Sequence, residues 1–254
     1  MICHQIKKII FGIFFLGFSF VYGQNLVPNP SFEIFDKCPD QYLLTYRKFL
    51  VPGWYLATGA TPDYFNSCTR LQVGVPQNYM GYCLAKDGQA YAGMIVLHDP
   101  PIDSLAPAKI NYREYIEAQL ISQLEKGQTY KLSFYYAIAT YSTFAINRLG
   151  IFISDDLVLK KLSTGVLNVK PQVFMDTSVI VTDRDQWIEV SGTYVAKGGE
   201  SYITIGNFYN DRITKYKVLN LPDINKFMKD KIKHMKIAYY YIDLVSVTKV
   251  ENKD

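Results

Sequence analysis

Cysteine, histidine and tryptophan are scarce in this chain: 4 Cys, 3 His and 2 Trp among 254 residues. No C-x-x-C pair occurs, and beyond the leader only His98 and His234 remain as histidines, so a zinc site is not expected. There is no G-x-S-x-G elbow for a hydrolase nucleophile, and the adjacency of His98 and Asp99 does not create a catalytic dyad in space. A phosphate-cradling loop is missing too, since Gly198-Gly199 followed by Glu200 reads as a hairpin turn. Asp63, Asp87, Glu114 and Glu117 are available as acids, but nothing in their spacing singles out the pair a glycosidase needs. The formal charge is only +4, which gives no global attraction for nucleic acid. No internal repeat, low-complexity tract or long Pro/Ser linker divides residues 24–250, which are read as one domain with a short tail at 251–254.

Tyrosine and phenylalanine, by contrast, are abundant at 21 and 15, and 49% hydrophobic residues are enough to build a core. These rings favour strands and present amphipathic surfaces. The first residues read as an exported leader: Lys7 and Lys8, an apolar run Ile9–Val21, then small Gly23. Cleavage after Gly23 is expected, making 1–23 the signal peptide and removing Cys3. Gln24, not Cys, stands at the cleavage point, so no lipoprotein anchor is implied. The apolar run falls short of the roughly 20 residues that span a bilayer, and no second run approaches that length. Cys38, Cys68 and Cys83 then remain in a disulfide-permitting compartment, and three pairings are possible by arithmetic alone.

Between turn signals, residues Gln89–Leu97, Gln128–Ala139, Arg148–Ser154, Thr177–Val181, Gln186–Val195, Ser201–Phe208 and Ala238–Val247 alternate or are rich in β-branched and aromatic residues. Arg113–Leu120 alternates as well and is read as a strand. Strands at this spacing without intervening helices predict an all-β antiparallel sandwich. One stretch differs: residues 211–236 carry eight Lys or Arg side chains, and Ile224, Phe227, Met228 and Ile232 share one helical face. A short basic amphipathic helix near 223–234 is predicted there, either a packed lid with a solvated face or a membrane or anion site.

The mature N-terminus reads Asn25-Leu26-Val27-Pro28-Asn29-Pro30-Ser31-Phe32-Glu33, and the last strand Ala238-Tyr239-Tyr240-Tyr241-Ile242-Asp243-Leu244-Val245-Ser246-Val247. Between them lie Trp54, Gly127-x-x-Tyr130 and Trp187. This resembles the galactose-binding-like jelly roll of carbohydrate-binding modules (CBM4/9-like), whose ends read N-L-x-x-N-x-x-F-E and Y-I-D-D-V-S. It is similar, more closely, to the extracellular domain that Bacteroidetes envelope proteins place ahead of OmpA-type domains. That likeness is carried by Thr61-Pro62-Asp63-Tyr64-Phe65-Asn66-Ser67-Cys68, Val75-Pro76-Gln77-Asn78, Asp87-Gly88-Gln89-Ala90-Tyr91-Ala92-Gly93 and Ile205-Gly206-Asn207-Phe208. The chain ends at Asp254 without the OmpA-type domain that often follows, so direct peptidoglycan anchoring is not expected. Similar domains tend to carry Gln where this chain has Cys83, so the resemblance implies a Cys38–Cys68 bridge and a free Cys83.

The resemblance further implies a structural Ca²⁺ held by Glu33 and Asp243, with a backbone carbonyl near Gln89 as a further ligand. A jelly roll brings its first and last segments together, and paired carboxylates suit a hard cation. The competing reading is that backbone N–H groups satisfy both acids. For ligand contact the candidates are Trp54, Tyr55, Tyr64, Phe65 and Asn66, in a loop-rich segment where function tends to sit. Packing is the competing role for these, for Trp187, and for the strand aromatics Tyr135, Tyr136, Tyr239 and Tyr241. The expected function is a non-catalytic, exported binding module of the cell envelope or surface. Its expected partner is glycan, or alternatively an envelope protein in an outer-membrane-associated assembly; a polysaccharide hydrolase is the third reading.

Overall fold

A computed structural model describes residues 23–40, 49–98, 111–158, 160, 163–184, 186–223, 232 and 234–251. Its strands are β1 (Trp54–Leu56), β2 (Asp63–Asn66), β3 (Gln77–Asn78), β4 (Gly81–Tyr82), β5 (Ala90–His98), β6 (Tyr115–Gln119) and β7 (Thr129–Ile138). They continue with β8 (Phe144–Ile146), β9 (Gly150–Ser154), β10 (Val173–Phe174), β11 (Ile188–Val195), β12 (Tyr202–Gly206), β13 (Tyr216–Val218) and β14 (Ile237–Lys249). One five-stranded sheet has the order β1-β6-β12-β9-β10 and the other β11-β7-β14-β5-β2, with two-stranded ribbons β13-β8 and β3-β4 beside them. All ladder pairs are antiparallel. From β5 to β7 the chain crosses to the opposite sheet at each step and returns. The result is the antiparallel sandwich jelly roll that the strand spacing predicts.

Side chains from both sheets interdigitate between them, with Ile116, Ile151, Ile203 and Ile205 facing Met94, Leu132, Phe134 and Ile242. Tyr136 and Tyr240 stack in this layer at 5.3 Å with only 8° between their planes. The Tyr240 hydroxyl, buried there, accepts the Ile146 N–H at 2.9 Å, so the phenol is not left unpaired.

β14 departs from simple in-out alternation, because every residue from Ile237 to Asp243 is buried. Both faces of the sheet are therefore covered along this stretch of β14. Tyr239 and Tyr241 turn away from the sandwich and join Phe65, Met80 and Tyr91 in a second apolar layer, roofed by residues 67–85 including β3 and β4. The roof is tied to the N-terminal segment by a disulfide between Cys38 and Cys68, leaving Cys83 as the free thiol. The N-terminal segment itself lies along the end of β14: Leu26 N–H donates to the Val247 carbonyl at 2.8 Å and Val245 N–H to the Pro30 carbonyl at 3.0 Å.

Two expectations are corrected. Thr177–Val181 is not a strand: Asp176 Oδ1 accepts both the N–H and the hydroxyl of Ser178, at 2.8 and 2.7 Å, and this side-chain-capped turn takes the backbone out of the extended form. The strand of that region is β10, a few residues earlier. The short strands of residues 54–82 lack a readable alternation and were not predicted. The basic helix near 223–234 and the leader fall largely outside the described residues. No helix among the described residues is long and apolar enough to cross a membrane.

The bridge closes a loop of sequence separation 30, so chain-entropy reasoning assigns it about 3 to 4 kcal/mol. The double variant Cys38→Ser, Cys68→Ser is expected to lose about that much stability in urea unfolding. An unchanged midpoint would show that the roof is held by packing alone.

Candidate functional site

The outer layer on the β14 sheet carries strand aromatics, Tyr239 and Tyr241 among them, for which the sequence offers packing against ligand contact. In the fold it is interior. Phe65 lies 5.3 Å from Tyr91 and 5.5 Å from Tyr241, and Tyr91 and Tyr241 approach to 4.6 Å. Each buried phenol finds a polar partner. Tyr239 and Tyr79 hydroxyls donate to Asp63 Oδ2 at 2.6 and 2.5 Å, Tyr241 donates to Asn78 Oδ1 at 2.8 Å, and Tyr91 donates to the Cys83 carbonyl at 3.1 Å. Burial raises all four phenols above their usual range, so they stay protonated as donors.

Four of the five predicted ligand residues are buried, Phe65 in this layer and Trp54 and Tyr64 in the main core, which corrects the expectation for them. Trp54 is 2% exposed, with Nε1 donating to the Pro28 and Asn29 carbonyls and its ring 4.8 Å from Phe32. Tyr64 donates to the Phe32 carbonyl, and Phe65 is wholly buried. Asn66 donates to the Tyr64 hydroxyl and accepts the Cys68 N–H, an Asx turn beside the disulfide. Only Tyr55, 41% exposed, meets solvent.

What remains open is the rim of the roof. A cavity of about 310 Å³ is lined by Tyr82, Cys83, Leu84, Ala85, Ala137, Arg184, Gln186 and Trp187. Tyr82 and Leu84 are 58% and 63% exposed, while Trp187 is half-buried against Tyr91 at 5.9 Å. The two walls are joined by Trp187 Nε1 donating to the Leu84 carbonyl at 2.9 Å. Tyr82 is fixed by a reciprocal pair with Thr140 Oγ1, both 3.1 Å. Gly81 makes that approach possible: its φ is +123°, and a Cβ there would sit 2.2 Å from Thr140 Cβ. Arg184 Nη2 donates to the Ser142 carbonyl at 3.0 Å, which holds the guanidinium at the wall. The Cys83 thiol is pushed up to about 12 by burial and by the charge of Asp243, so it is a protonated, unreactive wall residue. Sequence reasoning assigned Trp187 to packing and missed the other wall residues. Their only local signal is a loop aromatic before an apolar tripeptide, which many buried loops share.

Beside the groove, Glu33 and Asp243 do converge, on the turn 86–90. Glu33 Oε1 accepts the N–H groups of Gln89 and Ala90 at 2.8 and 3.0 Å. Asp243 Oδ2 accepts those of Lys86 and Asp87 at 2.9 and 3.0 Å, and its Oδ1 accepts Leu244 N–H at 2.7 Å. Gly88 (φ +61°) brings the backbone so near that a Cβ would lie 2.4 Å from Glu33 Cδ. The Gln89 carbonyl accepts Ser67 N–H at 3.0 Å. Among the described residues no three His, Cys, Asp or Glu side chains gather as a metal group. The carboxylate oxygens named here all accept backbone N–H groups, the arrangement that the competing reading of these two acids expects. Asp243 is fully buried, and desolvation pushes its carboxyl up to about 7 against the pull of its three N–H donors.

The acids weighed for catalysis do not line the groove. Glu114 Oε2 accepts Ile95 N–H at 2.6 Å and its Oε1 the Tyr112 hydroxyl at 2.8 Å. Glu117 Oε1 accepts Val158 N–H at 2.8 Å and the Thr204 hydroxyl at 3.2 Å. Both are buried at 2% and 0% exposure.

No family model matches this chain, and no curated protein matches it. Solved structures similar to it include the CBM22-1 xylan-binding domain of Paenibacillus barcinonensis Xyn10C, at 10% identity over 84% of this chain and 94% of that one, TM-score 0.38. An arabinose-bound α-L-arabinofuranosidase, MgGH51, is similar at 9% identity over 90% of this chain and 27% of that one, TM-score 0.42. The K1 cleaved adhesin domain of Lys-gingipain from Porphyromonas gingivalis is similar at 12% identity over 79% and 92%, TM-score 0.36. A binding domain, an enzyme chain and an adhesin domain thus share this likeness, and none of them transfers a ligand to the groove.

Burial and the neighbouring Asp63 charge push Glu114 up to about 8, from an ordinary 4.5. The folded state therefore holds a proton that the unfolded chain releases. Its stabilising effect is complete below pH 4.5 and fades as pH rises through about 8, at most roughly 4 to 5 kcal/mol. Urea unfolding from pH 5 to 8.5 is expected to show stability falling in the wild type and falling distinctly less in Glu114→Gln. Equal slopes would remove Glu114 as the cause.

Proposed function

We propose that this chain is a non-catalytic glycan-binding module, exported and working at the cell envelope or surface. The observation that carries this reading is the groove: Trp187 and Tyr82 offer ring faces for sugar C–H surfaces, beside the polar side chains of Arg184 and Gln186, the latter donating to Asp183 Oδ2 at 3.1 Å. Among the described residues no carboxylate lines the groove, which supports a holding role over a hydrolytic one. Tyr82→Ala and Gln186→Ala, both at exposed positions, are expected to weaken binding on a glycan array by about tenfold or more without changing the melting temperature. Trp54→Phe, deep in the interior, serves as the control. Glycan binding untouched by both groove variants would refute the groove as the site.

Within the same proposal, Glu33 and Asp243 hold Ca²⁺ as a staple between the N-terminal segment, the turn 86–90 and β14. Calcium at about 100 times its dissociation constant would add about 2.7 kcal/mol to stability. A melting temperature raised by calcium at pH 8, and unmoved by it in Glu33→Ala and Asp243→Ala, is the expected result. The gain should shrink below about pH 7, where Asp243 takes up a proton that competes with the ion. A melt indifferent to calcium at pH 8 would leave the two acids as a hydrogen-bonded clamp only.

A further inference from the structure

The ribbon β13-β8 stands apart from the two large sheets and ends in an open edge. β13 pairs only with β8, with Tyr216 opposite Ile146, Lys217 opposite Ala145 and Val218 opposite Phe144. The flanking bonds fix which backbone groups point where. Asn147 N–H donates to the Lys215 carbonyl at 3.2 Å, and Leu219 N–H donates to the Thr143 carbonyl at 2.9 Å. In an antiparallel pair the hydrogen-bonding direction alternates residue by residue. Residues 215, 217 and 219 therefore face β8, and the N–H and C=O groups of Tyr216 and Val218 face away from it. Among the described residues nothing takes these four groups.

Both faces of the strand are in solvent. Tyr216 and Val218 are 48% and 74% exposed, with Tyr216 braced against Phe144 at 4.7 Å, and Lys217 projects on the opposite face. Arg212, Lys215 and Lys217 are all exposed, and residues 212–222 contain no acid. An unguarded strand of this kind invites another strand. The charge decides which. A second copy of the ribbon laid antiparallel would bring Lys217 and its neighbours against their own kind, which is destabilising across a pair. An acidic strand would meet them favourably.

We propose that β13 is a docking edge that takes up an extended, acidic polypeptide segment as a third strand of the ribbon, through the outward backbone groups of Tyr216 and Val218 and the cations Arg212, Lys215 and Lys217. This interface is separate from the glycan groove and does not depend on it. The probe is a capped, fluorescein-labelled peptide alternating Glu with Val, added to the mature protein at low salt, with the Lys-for-Glu peptide as its counterpart. Saturable anisotropy with the acidic peptide alone is expected, together with slowed amide exchange at Tyr216 and Val218. Val218→Pro removes one outward N–H but no bond to β8, and should weaken binding about tenfold. Lys217→Glu should weaken it comparably and relax the preference against the Lys peptide; retained melting temperatures check that both variants fold. Absence of saturable binding overturns the proposal. So does binding weakened by Lys217→Glu but untouched by Val218→Pro, which would mean charge attraction without strand addition. Concentration-dependent self-association in sedimentation that Val218→Pro abolishes would assign the edge to a second copy instead.

Discussion

β14 is buried on both faces from Ile237 to Asp243, and an apolar face left in water costs roughly 25 cal/mol for each Å² it exposes. One face is covered by the other sheet. The second is covered by the protein's own segment 67–85. Its roofing role explains features that would otherwise seem unrelated. The rings of Tyr79, Tyr91, Tyr239 and Tyr241 carry hydroxyls that cannot be buried unpaired, so the roof and the neighbouring β2 must supply acceptors, and Asp63, Asn78 and the Cys83 carbonyl do so. The disulfide from Cys68 to Cys38 ties the start of the roof to the N-terminal segment, and the clamp of Glu33 and Asp243 holds the turn where it leaves.

Closing the roof has an electrostatic cost. Asp63 is drawn into the interior as the acceptor of two phenols, and Glu114 lies close enough for the two carboxyls to resist joint ionisation. The interior resolves this by keeping a proton on Glu114. The arrangement suits a structural network, because the Glu114 oxygens and Asp63 Oδ2 are each engaged with an internal N–H or O–H. The groove at the roof's rim is the complementary region, where ring faces, a guanidinium and an amide meet solvent together.

Much of the architecture was legible in the sequence because strand alternation is local. Seven of the eight predicted segments contain strands, and β14 stood out by its run of three tyrosines. That the N-terminal segment lies beside β14 was legible as well, and Glu33 and Asp243 reach the same turn through separate N–H groups. The binding candidates were legible only as a composition. Trp54, Tyr64, Phe65 and Asn66 lie in a segment punctuated by Pro62, Gly59 and Gly53, which looks like an exposed loop. Whether such a segment faces water depends on what folds over it, and that is set by contacts far away in the chain. The groove failed to show for the same reason: Leu84 and Trp187 meet across 103 residues. The turn at Thr177–Val181 was misjudged because β-branched content outweighed the single Asp176 that caps it.

The placing of the groove at the roof's rim rests on one physical arrangement, a closed aromatic layer over the β14 sheet. Nitration of the folded protein with tetranitromethane, mapped by mass spectrometry, tests that arrangement directly. Modification at Tyr55, Tyr82 and Tyr216, with Tyr91, Tyr239 and Tyr241 protected until the protein unfolds, is the predicted result. Nitration of Tyr239 or Tyr241 at the rate of Tyr82 in the folded protein would mean that the roof is open and that the aromatic face is itself the binding surface.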